Sequence, residues 1–215
     1  MALPRILVCL ASLLVAVPAM AQIRSEAPLT IKDKALELTT LGQRLTLPAP
    51  DWVADDLVGD AVLGGFEAVF RSGEDQADLE LYRNGAVYAL AKTLYGAHVV
   101  SDPDAKPADY RAVVVDGFSR ACMPGLSAFV QLGDDPDDVL APLLLICGAQ
   151  RADRGTGEIM TISLQTSEAG MAIVYQQWRG AAFDPASAGN WPAPPETIEA
   201  RARLLHAQTM LTLAD

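Results

Sequence analysis

Histidine and cysteine are scarce in this chain of 215 residues, at two and three copies, and lysine appears four times against twelve arginines. The shortage of histidine and cysteine counts against a zinc site. A zinc site needs three or four clustered nitrogen or sulfur ligands, and His98, His206, Cys122 and Cys147 show no close metal-ligand spacing. A thioredoxin-like centre needs C-x-x-C at the start of a helix, a pattern the sequence lacks. There is no basic stripe, and the formal charge is −11. A surface this acidic repels phosphate backbones, so nucleic acid and anionic lipid are poor partners. Internal repeats and low-complexity tracts are absent as well.

The longest apolar run lies at the start, in MALPRILVCLASLLVAVPAMAQ. Arg5, the run Ile6 to Val17 and the small residues Ala19 and Ala21 form the three-part layout of a secretory signal peptide cleaved after Ala21. The run is short of the ~20 residues a membrane-spanning helix needs, so no span is expected after cleavage. A lipoprotein would require a small residue before Cys9, where Ile6-Leu7-Val8 stands. Cleavage removes Arg5 and no acid, which leaves the mature chain more acidic still. The excess of arginine and the abundance of alanine suggest a GC-rich bacterial genome and a periplasmic address. The expected organisation is a signal peptide at 1–21, an N-terminal segment at 22–34 and a single α+β domain at 35–215, a length that buries roughly 70% of its unfolded surface.

Cys9 leaves with the signal, and Cys122 and Cys147 remain as an even pair in an oxidising compartment. That pairing reads as a structural disulfide. Two buried free thiols are the alternative.

Alternating apolar positions predict hairpins over Ala35–Thr39 with Arg44–Leu47 and over Phe66–Arg71 with Ala77–Arg83. Trp52, which ends LPAPDW, is expected to fold back onto the core. Alanines and leucines at helical spacing predict a helix from Ala86 to Tyr95. Tyr110, Val114, Phe118 and Cys122 recur every four residues and predict a second helix, capped by Asp109. Strands follow at Ser127–Leu132, Pro142–Cys147, Glu158–Gln165 and Met171–Trp178. A closing helix is expected over Glu196–Leu213, with Ile198, Ala202, Leu205 and Leu213 on one stripe and Ala200, Leu204, Ala207 and Leu211 on another. The fold class is therefore α+β: an antiparallel sheet of about six to seven strands covered by helices, the C-terminal helix among them.

In its order of elements the chain resembles the PsbP-like and DcrB-like secreted proteins. The hairpin ending TLPAPDW, the strand DLELYRNG and the closing LLHAQTMLTL carry that resemblance. It implies an accessory or assembly role and no catalytic residue.

Candidate chemistry is sparse. Gly125-Leu126-Ser127-Ala128-Phe129 begins like a nucleophile elbow but lacks the second glycine. His98 is placed at a helix end and His206 in the closing helix. Asp134, Asp135, Asp137 and Asp138 crowd one loop and are weak calcium candidates, in a spacing that is not an EF-hand's. Tyr175, Trp178 and Trp191 are possible binding residues, although Tyr175 and Trp178 must point to opposite faces of one strand. Trp191, among prolines, suits either packing or docking. The expectation is a periplasmic accessory or binding domain with no cofactor that engages a protein or envelope component. The alternative is a cryptic hydrolase using His98 with Ser127 or a carboxylate.

Overall fold

Two antiparallel sheets stack in the computed structural model, which describes residues 27–214 except 33, 55, 56, 134 and 136. The signal-peptide reading at 1–21 and Asp134 lie outside the described residues. The smaller sheet has the order β1-β2-β3-β11, with β1 at Leu29–Lys32, β2 at Ala35–Thr40, β3 at Gln43–Pro48 and β11 at Met210–Leu213. The larger runs β4-β5-β6-β10-β9-β8-β7. Its strands are β4 Phe66–Ser72, β5 Gln76–Arg83, β6 Thr93–Val100, β7 Ser127–Gln131, β8 Leu143–Cys147, β9 Thr156–Ser167 and β10 Gly170–Ala181. Two α-helices complete the fold, α1 at Pro107–Ala121 and α2 at Pro195–Gln208.

Alternation along the strands decides what each face meets. Leu79, Leu81, Tyr95, Ala97, Val99, Ala172 and Val174 leave the inner face of the large sheet and pack on Leu36, Leu38, Leu45, Leu47 and Leu211 of the small one. Farther across the same face α2 takes over, laying Ile198 and Ala202 on Leu144, Ile146, Ile159 and Trp178. The outer face is covered only in part. There α1 packs Phe118 against Leu143, Leu145, Ile162 and Ile173, with Cys122 just beyond its end. Strand β8 is buried at all five positions because both faces are occupied, which is what its unbroken apolar run signals.

The α+β class and the antiparallel pairing hold, but helices cover only part of the large sheet, and the rest of its inner face is covered by a second sheet. β1, in the stretch read as an N-terminal segment, pairs with β2 from Leu29 to Lys32. The helix expected over Ala86–Tyr95 is not formed. A single 3-10 turn at Tyr88–Leu90 precedes β6, which is hydrogen-bonded on both sides by β5 and β10. Pairing with both neighbours draws Thr93–Tyr95 into the sheet despite the high helix propensity of alanine and leucine, a preference that tertiary context overrides. The closing helix stops at Gln208, where Thr209 is extended, and Met210–Leu213 pairs with β3 instead. Asp109 lies within the first turn of α1, complementing its dipole, while Pro107 begins the helix and Lys106 takes the cap position.

Cys122 and Cys147 are brought together as expected, with Cα atoms 5.6 Å apart, a separation compatible with a disulfide. The pair ties the end of α1 to β8.

Candidate functional site

The site begins with the prolines of LPAPDW. Pro48 ends β3 and Pro50 starts a tight turn, in which the Val53 amide donates to the Pro50 carbonyl at 3.0 Å. This loop stands opposite the exposed flank of α2, and between them lies a cleft of about 840 Å³. Its walls are largely apolar, with Pro48, Pro50, Val53 and Leu57 on the loop side and Ala200 and Leu204 on the helix. Asp51 and Glu196 line the cleft too, as do Lys34 and Arg201.

Arg201 is the anomaly. It falls three residues after Ile198 and four before Leu205, on the buried stripe of α2, and is only 5% exposed. Its Nε donates to Gln176 Oε1 at 2.6 Å, and its guanidinium carbon stacks 4.7 Å from the centroid of the Tyr95 ring. Nη2 has no hydrogen-bond partner, and neither has Nε2 of Gln176. Among the described residues no carboxylate makes an ion pair with the guanidinium. Burial lowers the pKa of Arg201, opposed by Tyr95 and Asp51. Arginine stays protonated even so, so the chain holds a desolvated positive charge whose hydrogen bonding is incomplete.

Tyr95 links the two walls. Its ring supports Arg201 while its hydroxyl, wholly buried, donates to the Pro48 carbonyl at 2.9 Å. Burial pushes that phenol well above its ordinary range, so it remains a neutral donor. Trp52 packs against the same core with its indole Nε1 buried and unpartnered.

The residues singled out in the sequence lie elsewhere. His98 is in the middle of β6, on the outer face, and its Nδ1 is 2.8 Å from Asp78 Oδ1. It is not at a helix end, because the helix expected before it is not formed. Arg71 donates to Glu80 at 3.0 Å on the same open face, and Tyr175 lies across Gly96, where an added Cβ would come within 2.6 Å of the tyrosine hydroxyl. Ser127 begins β7, four strand spacings from β6, on the order of 19 Å away. His98 and Ser127 are therefore not assembled into one site.

Tyr175 and Trp178 occupy opposite faces of β10, Trp178 buried beneath α2 and Tyr175 on the α1 side. Trp191 packs against the cluster around Trp178, and its indole donates to the Pro185 carbonyl at 3.3 Å. The three do not form one surface. In the acidic loop, Asp135 and Asp138 accept backbone N–H bonds from Asp137 and Leu140. Among the described residues no cluster of three or more His, Cys, Asp or Glu side chains is arranged to hold a metal ion. His206 is exposed near the end of α2, where it lines a smaller cleft of about 310 Å³ with Arg203, Asp135 and Asp138.

Sequence reasoning passed over Arg201. Its signal was a basic residue on an otherwise apolar helical stripe. No family model, curated protein or solved structure matches the chain. The chemistry of the cleft is read from its own atoms: an apolar-walled space lined by one buried guanidinium.

Proposed function

We propose that the mature chain is a periplasmic accessory domain that engages a protein or envelope component by binding, and that the cleft between the LPAPDW loop and α2 is its working surface. The observation that carries this reading is Arg201, a charge held 5% exposed beside an apolar space, with a guanidinium nitrogen left unpartnered. Such an arrangement is costly for folding alone, because a buried charge forfeits hydration that only a complete set of partners offsets. The layout of residues 1–21 supports export, and the element order shared with PsbP-like and DcrB-like proteins fits an accessory role. The described residues include no helix long and apolar enough to cross a membrane.

The test is photo-crosslinking in the compartment where the protein works. A photoreactive side chain at Leu204 or Ala200, both lining the cleft, is expected to trap one specific envelope partner. The same group at Val113, exposed on α1, should trap none. Equal, unspecific capture at all three positions, or none at any, counts against the reading.

A second reading, hydrolysis with His98 as general base, has one observation in its favour: Asp78 holds the imidazole by Nδ1, as the orienting acid does in a triad. Any hydrolytic activity found by screening and left unchanged in His98→Ala would remove it.

A further inference from the structure

The cleft has one more property, its balance of charge. Arg201 lies deep among apolar neighbours, whereas Lys34, Asp51 and Glu196 are exposed charges of the same lining, two acids to one lysine. A multiply charged anion would meet Arg201 favourably and the two acids unfavourably. A single negative charge suits one guanidinium, and carboxylate geometry matches its paired N–H groups. The apolar walls ask for an aliphatic body behind that head. About 840 Å³ falls within the ~300–1,000 Å³ of small-molecule sites.

We infer that the cleft binds an amphipathic monocarboxylate, an aliphatic chain ending in a single carboxylate, with the head on the Arg201 guanidinium and the tail along Pro48, Pro50, Val53 and Leu204. This deepens the binding reading and rests on it: the partner in the envelope either is such a molecule or presents one. The head supplies a counter-charge in contact with the guanidinium, which among the described residues Asp51 offers only at longer range. It also fills hydrogen-bonding capacity that Gln176 leaves open, since Gln176 Oε1 takes only Nε. The tail replaces water against the prolines and Leu204, a gain proportional to the apolar area covered. At long range the acidic surface opposes an approaching anion, but this repulsion is screened over about 8 Å at physiological ionic strength.

The test is calorimetry on the mature protein with four probes: decanoate, decanol, decyl phosphate and acetate. Decanoate is expected to bind at least ~10-fold more tightly than decanol, the difference being a charge-assisted bond to a desolvated guanidinium. Decyl phosphate at a pH where it is a dianion should bind more weakly than decanoate, and acetate should give no heat. Arg201→Met should erase the preference for decanoate over decanol while leaving decanol binding intact. Ala200→Trp, at an exposed helix position on the cleft wall, should abolish binding of both without altering the melting temperature. Decanol binding as tightly as decanoate, a tighter decyl phosphate, or no decanoate binding would overturn the inference. In that last case, specific crosslinking from Leu204 would still uphold the binding reading, so the two fail separately.

Discussion

Arg201 and Glu158 are the two charged side chains buried among the described residues, and each makes a measurable demand. Replacing Arg201 by methionine removes a desolvated charge but also the donor to Gln176 and the stack on Tyr95. These effects oppose one another, so the ligand-free Arg201→Met protein should keep its stability to within about 1 kcal/mol in denaturant titration. A loss above about 3 kcal/mol would show that the guanidinium is there for the fold, not for a ligand. Glu158 is 7% exposed on the outer face, held by Gln177 and by Arg179 at 3.7 Å. Desolvation raises its pKa despite the opposing pull of Arg179 and Gln177. Because the folded pKa lies above the unfolded one, the protein binds the extra proton more tightly when folded. Glu158 is thus least unfavourable below its unfolded value of about 4.3 and costs stability as pH rises through the folded pKa. Glu158→Gln should therefore be more stable than the wild type at pH 7, with the gain shrinking towards pH 4; an unchanged gain across that range would contradict the assignment. Neither residue is legible in the sequence. A period of 3.6 marks Arg201 as facing inward but cannot say that its partners are incomplete, and Glu158 sits at the polar phase of a strand whose outer face only the tertiary packing closes.

Elements were read well where one period dominated and poorly where two fitted. The hairpins β2-β3 and β4-β5, the buried strand β8 and the helix α1 all follow from alternation or from a repeat of four. At the end of the chain the same residues satisfy both periods. Ala207 and Leu211 fall four apart, as on a helix, yet Leu211 alternates with Met210 and Thr212 as on a strand. Pairing with β3 decides for the strand, because it buries Leu211 opposite Leu45 and completes the small sheet. Leu211→Ala should then cost about 2–4 kcal/mol, typical of a core leucine, whereas Leu213→Ala, half exposed, should cost little. Equal effects at the two positions would favour a continuous helix. The misread segment before β6 has a further consequence for function. With no helix there, His98 stands within β6 on an open sheet face against Asp78, and the sheet order keeps it out of reach of Ser127.

At the scale of the molecule, two sheets share one core and two helices close what the smaller sheet leaves open. The α+β class was legible, since strands outnumber helices and turns are short; the division into two sheets was not, because it depends on which hairpins pair across the chain. The Cys122–Cys147 pair holds α1 to β8 and closes a span of 25 residues, so Cys147→Ala should cost about 3.5 kcal/mol by the chain-entropy relation. Protein from an oxidising compartment should show no free thiol until denatured and reduced, then two. The cleft proposed as the working surface lies between the end of the small sheet's β3 and the helix that takes over from that sheet. The most direct measurement is amide chemical-shift mapping of isotope-labelled mature protein titrated with decanoate. Shifts concentrated in residues 48–54 and 196–204, saturating only at higher decanoate in Arg201→Met, are the predicted result. Shifts centred on β5 and β6 around Asp78 and His98, or no saturable shifts at all, would contradict the account.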